Sequence, residues 1–273
     1  MRRESDGFEA AFGVADAGGD APEGVGRWAR AVDLGARGDV AAARGAVETL
    51  LRTVGDDRTR ALAYAARASW TRQSGRHGDA RVDDGRAARL VARSATTGDR
   101  WAVAAWADAL TGLAADSLGI GDFSGARRLL HRVDSVLPDA GVGAPDWVTG
   151  DRLRLRLAWV QTELALYSGD TPGTTAPRER AVALAADCPS PRHVVKTDLI
   201  AAAVAAAVGD IAHAAELAGE VEKRCATAGL LPLSWAASTM LAGCGPEPTK
   251  SAQRAAAAAR ELAVRGMPIK PAA

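Results

Sequence analysis

The sequence predicts an all-α protein, and three observations carry that prediction. Alanine fills 63 of 273 positions while aromatic residues reach only 4%. Alanine favours helices, and strands favour β-branched and aromatic side chains. Apolar residues recur at helical spacing along most of the chain, and no segment alternates with period two. Gly-Asp pairs recur between the helical runs, placed where one helix ends and the next begins.

Taken in order, residues 1–22 are rich in Gly, Asp, Glu and Ala with little periodicity, and read as a disordered lead-in holding a candidate docking turn at Phe8–Val14. Gly24–Ala36 reads as a helix ended by Arg37-Gly38. Asp39–Val54 follows, with Val40, Ala43, Val47 and Leu50 on one stripe. Arg58–Ser74 ends at Gly75, and Gly78–Ser94 runs into the polar loop Ser94–Asp99. Arg100–Gly119 and Ser124–Leu137 form the next pair, and Pro138–Pro145 is a Gly/Pro-rich connection. Asp146–Tyr167, a loop, and Pro177–Ala186 follow, then His193–Val208 and Ile211–Ala228 after the break at Pro189 and Pro191. Leu233–Leu241 and Ser251–Arg265 close the series, with Gly266 and Pro268 as stop signals. About twelve helices, joined as six hairpins, make one helical domain over 23–266, with a tail at 267–273.

The hairpin turns repeat. Gly38-Asp39-Val40-x-x-Ala43, Gly121-Asp122-Phe123-x-x-Ala126 and Gly209-Asp210-Ile211-x-x-Ala214 share one pattern. Gly75-Arg76-His77-x-x-Ala80 is a degenerate copy, and Gly169-Asp170-Thr171 keeps only the Gly-Asp. Glycine supplies the left-handed residue that ends a helix, and aspartate caps the free N–H groups of the next. Seven positions before the turn glycines stand Ala31, Ala68, Ala114, Thr162 and Ala202, small enough for paired helices to approach. These features resemble the tetratricopeptide repeat family, over roughly Gly24–Ala228 with a weaker final hairpin. The glycine spacings of 37, 46, 48 and 40 depart from that family's strict 34. The resemblance implies a right-handed α-solenoid and a peptide or protein partner held in a concave groove.

Composition narrows the remaining classes. Lys+Arg number 34 and Asp+Glu 33, with no long basic run, which argues against a nucleic-acid partner. Arginine heavily outnumbers lysine, which with the alanine excess points to a GC-rich bacterial genome. Cys188, Cys225 and Cys244 are too few and too scattered for a disulfide framework or a zinc site, and read as small buried hydrophobes. The longest uncharged apolar run, Leu199–Gly209, falls far short of the ~20 residues of a membrane span. No secretory h-region follows Met1, so a cytoplasmic protein is expected. The polar residues Lys250, Gln253, Arg254 and Arg260 on the last helix read as a cap, favouring a monomer or weak homodimer.

No nucleotide, metal or hydrolase motif survives inspection, so no catalytic residue, cofactor or metal is expected. Gly24-x-Gly26-x-x-Ala29 follows no strand and is not a dinucleotide fingerprint. His77 reads as turn packing, and His131, His193 and His213 as surface residues. Asp56-Asp57 reads as helix-start charge, and Asp83-Asp84 as part of a solvated helix face.

If the first helix of each hairpin faces inward and the turn glycine sets the register, the groove takes Trp28, Ser69, Arg72, Gln73, Asp108, Arg156, Trp159, Glu163, Tyr167 and Lys196. Trp28 and Trp159 share one position in their repeats. Aromatic and arginine anchors among small residues are what binding hot spots look like. The tryptophans read equally as core wedges between alanine-lined helices, and the charged positions as simply solvated. The expected function is a non-enzymatic adaptor; the alternative is a sensor that binds a small molecule.

Overall fold

The computed structural model describes residues 2–137 and 146–270 and is all-α; the expected connection Pro138–Pro145 lies outside the described residues. Among those residues there are thirteen α-helices. They are α1 (Arg2–Phe12), α2 (Val25–Ala36), α3 (Val40–Thr53), α4 (Asp57–Gln73), α5 (His77–Ala95), α6 (Arg100–Gly119) and α7 (Phe123–Asp134). The series continues with α8 (Asp151–Tyr167), α9 (Thr175–Ala186), α10 (Pro191–Ala207), α11 (Ile211–Ala228), α12 (Leu231–Cys244) and α13 (Pro248–Val264). From α2 onward they pack as six adjacent pairs, and the first helices α2, α4, α6, α8, α10 and α12 touch one another in order. No helix among the described residues is long and apolar enough to cross a membrane.

The turn chemistry read from the sequence is what joins the pairs. Gly38, Gly75, Gly121, Gly169 and Gly209 all hold φ between 74° and 88°, a region that costs other residues ~1–2 kcal/mol. Asp122 and Asp210 accept the backbone N–H of Gly125 at 2.8 Å and of His213 at 3.2 Å. Ala31, Ala68, Ala114, Thr162 and Ala202 before the turns, and Ala43, Ala80, Ala126 and Ala214 after them, are all fully buried. Glycine takes this role where alanine is too large. A Cβ on Gly35 would fall 2.0 Å from Nε1 of Trp70, and one on Gly112 would fall 2.2 Å from a carboxylate oxygen of Asp84.

The last hairpin returns to the first. The backbone N–H of Ala41 donates to Arg265 O at 2.8 Å, and the Arg265 guanidinium pairs with Asp39 at 2.9 Å. Leu262 and Met267 are buried in one core with Val40, Val47 and Leu50. A Cβ on Gly38 would fall 2.9 Å from Leu262, so this glycine is needed for the closure as well as for the turn. The tail then runs on, and Lys270 N–H donates to Ser74 O at 3.2 Å. Part of the expected free tail is therefore a strap across the first two turns.

The lead-in also differs from the expectation. Residues Arg2–Phe12 form a helix, and Phe8, Ala11 and Phe12 are buried. The backbone of Gly7 lies so close to α2 that a Cβ there would sit 3.0 Å from Gly26 O. Further along, Arg100 at the start of α6 binds Asp20, Asp146 and the Ala17 carbonyl, which fixes the link from α1 to α2. This segment is ordered by contacts that are distant in sequence, which periodicity does not reveal. Smaller differences lie at several helix ends: α7 stops at Asp134 rather than Leu137, α12 runs Leu231–Cys244 rather than Leu233–Leu241, and α13 begins at Pro248 rather than Ser251. Helix α8 begins at Asp151 rather than Asp146, and α9 begins at Thr175 after the short 3-10 turn Pro172–Thr174.

Two substitutions separate turn from packing. Gly209→Ala meets no atom within 4 Å and is expected to cost only the backbone penalty of ~1–2 kcal/mol. Gly35→Ala keeps a helical backbone but displaces the Trp70 indole, and is expected to cost more than Gly209→Ala. Urea unfolding of both variants checks the order.

Candidate functional site

Contacts among the first helices bring most of the predicted groove residues together. Between α4 and α6, Arg72 donates to Asp116 at 2.9 Å and to Asp84 of α5 at 2.5 Å. Between α6 and α8, Asp108 accepts from Arg152 at 3.1 and 2.8 Å and lies 2.9 Å from Arg156. Between α8 and α10, Lys196 donates to Glu163 at 3.2 Å and stands over the Trp159 ring. The three steps from α4 to α10 therefore each carry an ion pair. Among the described residues the Ser69 and Gln73 side chains bond only to each other, at 3.2 Å, and Tyr167 stands 67% exposed at the end of its helix; these three lie outside the ladder.

Trp28 and Trp159 are both buried, and they flank an aromatic stack. Phe12 of α1 stacks on Trp28 with centroids 5.1 Å apart, and reaches His193 at 6.3 Å. His193 stacks on Trp159 at 5.6 Å, with Trp147 edge-on at 5.5 Å. Phe8 packs edge-on against Trp28 and tilted on Phe12. Trp159 Nε1–H donates to Thr197 at 2.9 Å. The guanidinium of Arg152 lies over both Phe12 and Trp28, at 5.5 and 5.9 Å. Helix α1 thus spans the interior from the first hairpin to the fourth and fifth, and its C-terminal end is fixed by Ser190, whose hydroxyl donates to Ala11 O at 3.5 Å.

Three expectations are corrected here. His193 is buried rather than on the surface. Burial, then Arg192, Arg152 and Arg156, hold its imidazole well below the usual range, so it is neutral at physiological pH. Asp84 is fully buried rather than solvated, because α5 turns that face onto Arg72 and Gly112. Burial pushes its carboxyl up to about 7 against the pull of Arg72, and Asp116 on the same arginine adds to the rise. Of the cysteines, only Cys225 is buried; Cys188 and Cys244 are partly exposed.

Arg152 and Arg192 escaped the sequence reading, which named His193 only as a surface residue and Phe8 and Phe12 only within the candidate docking turn Phe8–Val14. A signal for the arginines existed: both lie seventeen residues before their turn glycines, Gly169 and Gly209, one helical turn before the predicted inward position. Phe8 and Phe12 stand four apart on one face of a short segment that contains Gly7.

Electrostatically the patch beside Asp108 is lopsided. Burial alone would raise the Asp108 carboxyl, and Arg152 and Arg156 overcome it and hold it below the usual range. Burial lowers Arg156, with Asp108 pulling the other way. Arg192 is pushed down to about 10, first by burial and then by Arg156 and Arg152. It makes no hydrogen bond or ion pair to any described residue, and its Nε is buried without a partner. Among the described residues, no group of three His, Cys, Asp or Glu side chains converges as a metal site. No protein-family model matches the chain, and no curated protein matches it either.

The Asp84 carboxyl gives a pH dependence with a definite sign. Its ordinary pKa is near 3.8 and its folded value is about 7, so between those values the folded state holds a proton that the unfolded state has lost. Stability contributed by Asp84 therefore falls as pH rises through that window, by at most about 1.4 kcal/mol per pH unit. Asp84→Asn is expected to lose less stability than the parent chain between pH 5 and pH 7.5, read by urea unfolding at both values.

Proposed function

We propose that the chain is a tetratricopeptide-like right-handed α-solenoid that works as a non-enzymatic interaction module. Its inner face takes a short helix presenting two aromatic side chains one turn apart, and α1 holds that place in the resting chain. One observation carries this reading: Phe12 sits between Trp28 and His193 in a stack that continues to Trp159.

The chemistry of the interior supports it. The polar groove residues Arg72, Asp108, Glu163 and Lys196 are engaged with neighbouring helices and serve mainly to hold the face in shape. What remains for recognition is aromatic surface, which suits short helical ligands read at i and i+4. Burying one phenylalanine side chain contributes ~1.5–3 kcal/mol, so two of them hold α1 in place without making it irreplaceable. An occupant on the same chain lowers the apparent affinity for any competitor, which would keep the module silent until a better helix arrives. The alternative, a sensor for a small molecule, draws support from the surplus of arginine beside Asp108.

The test supplies α1 in trans. A labelled peptide of residues 2–16 is titrated against the wild-type chain and against the Phe8→Ala/Phe12→Ala variant. The variant is expected to bind it in a saturable way, at concentrations up to about the millimolar range set by intrachain tethering, while the wild type binds it more weakly. Adding Trp159→Ala to the variant is expected to abolish binding. Equal affinity for wild type and variant, or no binding to either, overturns the reading.

A further inference from the structure

Arg152 and Arg156 of α8 share the Asp108 carboxylate, and Arg192, at the start of α10, is within electrostatic reach of both arginines. Each nitrogen of Arg152 has a partner: it gives two hydrogen bonds to Asp108 and one, at 2.8 Å, to the Val148 carbonyl. Arg156 contacts Asp108 at a single point, its Nε 2.9 Å from the carboxylate, which leaves the rest of its fork without a carboxylate. Arg192 has no hydrogen-bond or ion-pair partner among the described residues. The other carboxylates that act on Arg156 and Arg192 are committed elsewhere, Asp33 to Arg37 at 3.0 Å and Asp84 to Arg72. Counting Arg152, Arg156 and Arg192 against Asp108 leaves two positive charges in excess within a protein interior.

Helix geometry adds to the imbalance. Arg152 is the second residue of α8, and Arg192 is the second residue of α10. Both sit in first turns, where the helix end is itself positive and basic side chains are disfavoured. Asp151, in the first turn of α8, pairs with Arg154 at 2.8 Å. An uncompensated buried charge is costly, yet Arg156 and Arg192 are only half-buried, so their remaining N–H groups stay open to a solute.

We propose that Arg156 and Arg192, backed by Arg152, form a site for a small doubly charged oxyanion, a phosphate or dicarboxylate solute, on the inner face of α8 and α10. A guanidinium presents five N–H donors in a fork that matches such oxygens two at a time. A dianion would cancel the two-charge surplus and satisfy the unpartnered Arg192 donor. The site is independent of the peptide reading, because α1 rests on Arg152 and the free donors belong to the other two arginines.

The test is a calorimetric titration and a melting curve on the full chain, at constant ionic strength, with inorganic phosphate, succinate or chloride. Phosphate, succinate or both are expected to bind one to one. Either anion should raise Tm by about 5 °C at roughly a hundredfold excess over Kd, while chloride does not. Whichever binds names the chemical class. Arg192→Gln removes an unpaired charge, so without anion it is expected to melt no lower than wild type while losing affinity at least about tenfold. Arg192→Lys, which keeps the charge and loses the fork, is expected to fall between them. The proposal is overturned if neither anion changes Tm relative to chloride, or if Arg192→Gln binds as tightly as wild type. Phe8→Ala/Phe12→Ala is expected to retain anion binding, so failure of the peptide reading and failure of this one are separable.

Discussion

The structure depends on how closely two helices can approach behind a turn. At every hairpin from the first to the fifth, a small side chain seven positions before the turn glycine is fully buried: Ala31, Ala68, Ala114, Thr162 and Ala202. Such contacts bury little apolar area each, so cohesion comes from many helix–helix contacts at short range rather than from a few large side chains. The scarcity of aromatic residues follows from this. Where a bulky ring does appear it fills space that close packing leaves open, as Trp70 does against Gly35 and as Trp28 and Trp159 do in the interior. The same spacing brings the first helices near enough for side chains of one to reach carboxylates on the next, which yields the ladder from Arg72 to Lys196.

Those local rules are why so much of the fold was legible. A left-handed glycine, a capping aspartate and an alanine one turn on are all decided within a few residues, and the hairpins they define match the observed helices closely. The register counted back from the glycines also selected Asp108, Arg156, Glu163 and Lys196, which meet as pairs between neighbouring first helices. What the sequence hid is of another kind. The order in α1 comes from Trp28, Arg152 and His193, which belong to three different helices. The burial of Asp84 depends on Gly112, and that of His193 on Trp147 and Trp159. None of these pairings leaves a trace in spacing, because each partner satisfies its own local pattern whether or not the other is present.

The interior joins two kinds of surface at one place. The aromatic stack is apolar and filled, whereas the arginine patch beside it is charged and incompletely paired. Arg152 belongs to both, since it lies over Phe12 and Trp28 and also anchors Asp108. A change in the charge balance on one side of Arg152 is therefore positioned to alter how firmly the rings are held on the other.

The return of the last hairpin to the first has a kinetic side. In an open stack of repeats each unit leans only on its neighbours, and assembly can begin anywhere and spread. Here Asp39 meets Arg265, a separation of 226 residues, and the Gly38 turn packs on Leu262. Closing so long a span is slow, because chain entropy is lost before the contacts reward it. During synthesis the first hairpin emerges long before its last partner, with the Val40–Leu50 face still uncovered. That interval is when the nascent chain is most exposed to aggregation or to chaperone capture.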